Sequence, residues 1–344
     1  MKRLFVYFAG IGDVVMLVPF LRRLAADGPL DLLVRDFCGD LFAAQPFVRR
    51  VWTLRHPNRG RSPLGRLLAW ERRGLGRRLA AEGYGQVVDT TFERPIILEW
   101  IREWSRGAPL RLVDLKRVPS NRSRSACESL GMGLDGLADR PRLEVGVALR
   151  LRMEALLKPL GRVVGVQVGS GPVSKWPRRF DVKGLSPEQW IELAGGVLRR
   201  GDADALVFQG SPAERGLVGP IARGLARVWP GRVHDWTGRF NLAELLGLMS
   251  GYRALISVDT GPAHMAAAVG CPLLVFFGPS DPNEYLMRGT GPVEMVLGSS
   301  PCQFCAGTDR FKRCADNRCL RGLGEEALLD GWGRLMKAAT KERA

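Results

Sequence analysis

ALISVDTGPAHMAAAVGCPLLVFFGP, Ala254 to Pro279, is the stretch whose reading decides the fold. ALISV is apolar but for Ser257, as suits a strand buried on both faces; Asp259 and Thr260 end it, and Gly261 and Pro262 open a helix that runs from Ala263 to Val269. A second apolar run, LLVFF, follows Cys271 and Pro272 and stops at Gly278 and Pro279. Strand, glycine turn, helix and strand make a βαβ unit, and such units build parallel sheets clothed by helices. Gly261 removes a side chain where a ligand could approach the backbone, and Pro262 suits the first helical position. The helix start then presents free N–H groups and the positive end of its dipole beyond the strand, an arrangement suited to a diphosphate. Taken singly, Thr260 would be a plain helix cap and His264 a satisfied histidine.

Working outward, the same rhythm fills the chain. RVVGVQVGSG, ADALVFQGSPAERGLVGPIARGL and VHDWTGRFNLAELLGLMSGY each read as strand, loop and, after the loop, helix. Upstream, RLFVYFAGIGD runs as a strand into a glycine turn, VVMLVPFLRRLAADG as a helix, and PLDLLVRD, VRRVWTL, QVVDTT and LRLVDL as later strands. Between Leu143 and Leu160 a polar helix with Lys158 and Pro159 separates the two series. The chain therefore reads as two α/β, doubly wound Rossmann-like domains, 1–155 and 156–344, with strand C-termini lining a shared cleft. At 344 residues each would have room for its own core.

Lysine and arginine number 51 against 35 aspartates and glutamates, a net charge of +16 that favours anionic partners. Most of these arginines belong to solvated faces. The segment Arg55 to Leu79 concentrates them: Leu64, Leu67, Leu68, Leu75 and Leu79 fall at spacings of an amphipathic helix whose other face carries Arg66, Arg72, Arg73, Arg77 and Arg78. Such a helix suits a membrane surface. No apolar run is long enough to span a bilayer. Lys2 and Arg3 before an apolar run imitate a signal peptide, but Asp13 cuts the run short and no small-residue cleavage site follows.

DTGPAH, AAAVGCP and FFGPSDP in the second half, GSPAER in its middle and GIGDVVMLVPFLRRL at the start together resemble glycosyltransferase family 9, the ADP-heptose:lipopolysaccharide heptosyltransferases. The resemblance implies a GT-B fold and an inverting transfer, without a metal, from ADP-heptose to a lipopolysaccharide-core acceptor. It implies a cytoplasmic enzyme peripheral to the inner face of the membrane, with the acceptor on the first domain, the nucleotide sugar on the second, and room for the last helix to pack back on the first.

An inverting transfer needs a base for the acceptor hydroxyl and positive charge for the departing diphosphate. The resemblance gives the first task to Asp13. Its place beside Gly12, after a strand and at a helix start, suits an acid facing a cleft, although a cap alone would also put an acid there. For the second task, Gly169, Ser170 and Gly171 offer a turn whose N–H groups can cradle phosphate, and Lys175 a cation. The family keeps a residue between this lysine and Trp-Pro, whereas Lys175, Trp176 and Pro177 are contiguous here, which brings Arg178 or Arg179 into contention. Glu214 would hold nucleoside or ribose hydroxyls, or cap the following helix; Phe240 would face adenine, or fill core. Asp259, Thr260, Gly261, Pro262 and His264 complete the donor set.

Cys302, Cys305, Cys314 and Cys319 crowd one polar segment with the ingredients of a structural zinc or iron site; reduced thiols or a disulfide are the other readings. Cys38, Cys127 and Cys271 read as structural. A dinucleotide oxidoreductase would use GIGDVV and Asp36, but Val15 stands where the third glycine belongs. Nucleic-acid binding rests on charge alone, so no nucleic-acid partner is expected. A family member that glycosylates protein differs only in acceptor loops, which carry no readable motif.

Overall fold

The computed structural model describes residues 1–55, 63–90, 95–105, 107–118, 121–138, 140–171, 181–285 and 287–341, apart from the side chains of 63–70. It divides into two compact units, Met1–Asp139 and Arg140–Ala344.

In the first unit, strands β1 (Arg3–Tyr7), β2 (Leu30–Arg35), β3 (Val48–Leu54), β4 (Gln86–Asp89) and β5 (Leu110–Leu112) form one parallel sheet in the order β3-β2-β1-β4-β5. Its helices are α1 (Ile11–Met16), α2 (Val18–Leu24), α3 (Gly39–Phe42), α4 (Pro63–Ala81), α5 (Pro95–Trp104) and α6 (Arg122–Ser129). Leu4, Val6, Leu33 and Val87 pack from the sheet against Leu75 and Leu79 of α4 and Ile97, Trp100 and Ile101 of α5. The amphipathic reading of α4 holds over its described side chains: Leu75 and Leu79 are buried, while Arg73, Arg77 and Arg78 face solvent.

The second unit holds β6 (Val163–Gln167), β7 (Ala205–Gln209), β8 (Val233–Asp235), β9 (Ala254–Val258), β10 (Leu273–Phe277) and β11 (Val293–Leu297) in the order β11-β10-β9-β6-β7-β8, again all parallel. Its helices are α7 (Val147–Leu157), α8 (Pro187–Arg199), α9 (Arg215–Val228), α10 (Leu242–Gly251), α11 (Gly261–Ala268), α12 (Pro282–Tyr285), α13 (Asp309–Lys312), α14 (Arg318–Arg321) and α15 (Glu325–Lys341). Both sheets reverse their winding beside the first strand, at β1/β4 and β6/β9, the doubly wound order in which ligands bind beyond the strand C-termini.

The boundary lies earlier than residue 155 because α7 packs on α10 of the second unit. Gly247 and Gly251 leave the room: a Cβ there would fall 2.8 Å from Met153 Cγ and 2.8 Å from Leu157 Cδ1, respectively. The last helix, α15, buries Leu328, Trp332 and Leu335 in the core of the second unit, against β10, β11 and α8. Trp332 Nε1 donates to Asp202 at 2.8 Å, so the indole's one donor is satisfied as it leaves water. No described helix is long and apolar enough to cross a membrane.

Candidate functional site

The second unit's switch point brings together two loops that are far apart in sequence. After β6 come Gly169, Ser170 and Gly171; after the neighbouring β9 come Asp259 and Thr260. Thr260 is the N-cap of α11, with extended backbone, yet its side chain makes no capping hydrogen bond, so the plain-cap reading does not account for it. Asp259 and His264 are buried at 5% and 4% exposure, which charged and polar side chains sustain only with partners. For Asp259 the partner is Lys183, whose Nζ donates to Oδ2 at 2.7 Å and lies 5.7 Å from the centre of the Tyr285 ring.

Lys183 sits in a short turn. Its own N–H and the Gly184 N–H donate to Asp181 Oδ1 at 2.9 Å and Asp181 O at 3.0 Å. The same carboxylate takes the Ser170 N–H at 2.6 Å and the Ser170 hydroxyl at 2.7 Å. An acid thus occupies the place where the glycine turn was expected to cradle phosphate, and the Ser170 donors point at negative charge. Gly171 has φ +124°, which a side chain would resist, with nothing within 4 Å of a Cβ there among the described residues. Lys175, Arg178 and Arg179 lie outside the described residues.

Glu214 is buried, and the cap reading is the one its geometry meets. Oε2 accepts the Ser211 N–H at 2.6 Å and hydroxyl at 2.8 Å, while Gln167 Nε2 approaches Oε1 at 3.4 Å. Gly169 is glycine for this carboxylate: a Cβ would stand 2.0 Å from Oε1. Phe240 is half-buried rather than core, and meets Trp236 edge-on at 5.6 Å with the Arg239 guanidinium 5.4 Å over the Trp236 ring. Gly238, between them, donates its N–H to Gly210 O at 2.8 Å, which ties this aromatic loop to the loop of Glu214.

In the first unit, Gly12 and Asp13 lie in the first turn of α1. Asp13 Oδ2 accepts the Gly10 N–H at 3.1 Å, closing the helix start, while Oδ1 meets Arg122 Nη2 at 2.9 Å, each side chain 26% exposed. Arg122 opens α6, where the helix dipole disfavours a cation, and the acid offsets that cost. Nearby, burial pushes the Cys38 thiol up to about 12, with Asp36 and Asp13 adding to the shift and Arg35 opposing it.

Cys302, Cys305 and Cys314 are half-buried and Cys319 buried, all unpaired. Among the described residues no three His, Cys, Asp or Glu side chains converge as a metal site. The Cys319 Sγ–H donates to Asn317 Oδ1 at 3.2 Å, and burial, with Cys302, Cys314 and Cys305 adding to it, pushes the thiol up to about 11. The cysteines as arranged do not fit a zinc or iron centre, and no chemistry is routed through one.

Sequence reasoning missed Lys183, Asp181, Arg122, Trp236 and Asn317. For Lys183 a signal existed: Ser186 and Pro187 mark the start of α8, a fixed point from which to count back to the loop lysine. Arg122 had none, because its partner is remote in sequence.

A family model, glycosyltransferase family 9 (heptosyltransferase), matches residues 176–311. Lipopolysaccharide heptosyltransferase 1 of Pseudomonas aeruginosa is 39% identical over 133 residues, 38% of this chain and 32% of the relative, so the match spans about a third of that protein's length. Lipopolysaccharide heptosyltransferase 2 of Salmonella typhimurium is 24% identical over 312 residues, 82% of this chain and 84% of the relative. The structure of the E. coli ADP-heptose lps heptosyltransferase II, 17% identical, aligns over 100% of both chains with a TM-score of 0.73. The shared fold is GT-B, built from two Rossmann-like domains.

Proposed function

The chain belongs to glycosyltransferase family 9, and from that premise we propose that it transfers heptose, or a related sugar, from ADP-heptose to a hydroxyl of an anionic lipopolysaccharide-core acceptor. The observation that carries the reading is the Lys183 ammonium, 2.7 Å from Asp259 at the N-terminal end of α11, whose first N–H groups donate no hydrogen bond to the Thr260 side chain. Together they form a seat for a diphosphate.

Asp13 takes the proton of the acceptor hydroxyl as its oxygen attacks the anomeric carbon from the face opposite the diphosphate. The bond to the diphosphate breaks, and ADP carries the charge away. Inversion follows from that single displacement. Lys183 and the first N–H groups of α11 stabilise charge that grows on the leaving oxygens, with Lys175 as a second cation by family resemblance. Thr260, Gly261, Pro262 and His264 border the sugar and phosphates, Gly12 the sugar side, and Phe240 with Trp236 the adenine. Glu214, spent on its cap, supports the nucleoside loop through Ser211. Arg122 keeps the Asp13 carboxylate turned to one side. Arg72, Arg73, Arg77 and Arg78 of α4, with Arg66, attract phosphorylated glycolipid at the cytoplasmic face of the membrane.

Calorimetric titration with ADP, ADP-heptose, UDP-sugars and NAD tests the donor, and Asp13→Asn tests the base. The expected result is binding of ADP or ADP-heptose that Asp13→Asn leaves intact, with transfer reduced by about 10²–10⁴-fold. Binding of NAD alone would overturn the transferase reading. Loss of donor binding in step with transfer would remove Asp13 from the role of base, and transfer to a protein but not to a lipid A core would correct the acceptor.

A further inference from the structure

The cysteine-rich segment has no part in the transfer as described, yet it reaches the donor loops through one side chain. Asn317 is 1% exposed and has φ 48°, ψ 44°, a left-handed backbone that asparagine tolerates better than most residues. That backbone turns the amide inward. Nδ2 donates to Gly184 O at 2.6 Å and reaches Asp181 O at 3.5 Å, while Oδ1 accepts the Cys319 thiol proton at 3.2 Å. Acceptors on one side and a donor on the other fix which way the amide faces.

We propose that Asn317 is a positioning residue for the donor site, clamping the turn 181–184 so that Lys183 meets Asp259 and Asp181 meets Ser170. The proposal rests on reading the second unit as an ADP-sugar site. The clamp has a firm base: Gln189 Nε2 donates to Leu320 O at 3.0 Å and Leu323 O at 2.8 Å, and the Ser299 N–H to Cys319 O at 3.1 Å. Within the turn the Lys183 and Gly184 N–H groups donate to Asp181, and the Asn317 amide adds a third hydrogen bond from outside it, to Gly184 O. Without the amide, the Gly184 carbonyl is left buried without its donor and the turn must shift to recover one. The lysine would then spend part of its time away from Asp259, leaving an uncompensated carboxylate next to the incoming diphosphate.

The test uses the full chain and Asn317→Gly, which keeps the left-handed backbone accessible and deletes only the amide, with Asn317→Asp as a second variant that replaces the donor by an acceptor. Two readouts are taken. Amide hydrogen exchange in the unliganded protein follows the Lys183 and Gly184 N–H groups; ADP titration and transfer kinetics follow the site. The clamp predicts faster exchange at those two amides, an ADP Kd and donor KM raised roughly tenfold with kcat retained, and no further loss when Lys183→Met is added, as for neighbours acting through one another. Unchanged exchange, or losses that add fully to those of Lys183→Met, would overturn it. A wild-type protein that binds no ADP would overturn the donor-site reading instead, and the exchange result would still decide whether Asn317 holds the turn.

Discussion

Gly169 and Gly171 stand two apart in one turn and are glycine for different reasons. At Gly169 a Cβ would meet Glu214 Oε1 at 2.0 Å, and that carboxylate cannot retreat because Ser211 holds its other oxygen. At Gly171 nothing among the described residues lies within 4 Å of a Cβ, but φ is +124°. Gly169→Ala is therefore expected to cost about 1–3 kcal/mol through overpacking and to disturb the Ser211–Glu214 cap. Gly171→Ala should cost a similar amount, about 1–3 kcal/mol, through backbone strain alone. Chemical denaturation of the two variants separates the causes when each is combined with Glu214→Ala: relief of the Gly169 cost, and none at Gly171, is the expected pattern. The motif read as a phosphate cradle is thus also a packing solution for a buried acid, which no single-residue reading of the sequence contained.

At the scale of elements, the helix starts carry the site and the short segments around them tune it. The turn after β2 that holds Cys38 lies close enough to α1 for Asp13 to act on the thiol. Burial raises this thiol from its ordinary 9.0 to about 12 in the folded chain. The unfolded chain therefore ionises first: the contribution to stability is complete below about pH 9 and is lost as pH rises towards 12. The melting temperature of the wild-type protein should fall steeply over that window, and that of Cys38→Ala more gently; parallel curves would mean that the thiol plays no part. Likewise, the amphipathic pattern of α4 was legible because its apolar spacing is local, whereas the packing of α7 on α10 depended on two glycines nearly a hundred residues downstream.

For the whole molecule, two compact units predict two unfolding transitions, since the cluster around Trp190 and Trp332 belongs to the second unit and that around Trp100 to the first. ADP at about a hundred times its Kd should stabilise its own unit by about 2.7 kcal/mol and leave the other where it was. Differential scanning calorimetry with and without ADP checks this, and an equal shift of both transitions would contradict a donor site built from one unit. The net charge of +16 adds long-range attraction for anionic ligands, which salt screens.

The sequence by itself determined the class of fold and singled out the loops after its strands as the candidate site, because buried parallel strands, glycine turns and helix starts are written in contiguous residues. It also supplied Asp13 and the DTGPAH segment by resemblance to a family whose motifs are local. Only the tertiary structure decided which side chains complete them. Lys183 reaches Asp259, Arg122 reaches Asp13, and Asn317 holds the turn of Lys183 across separations of 76, 109 and 133 residues, counted from the paired positions. The same holds for the metal expectation, where spacing placed four thiols in one segment but, among the described residues, no three ligating side chains converge on one point. The physical reason is common to all four cases: backbone periodicity follows from neighbours in the chain, while ion pairs, caps and clamps follow from distances that exist only once the sheets have formed.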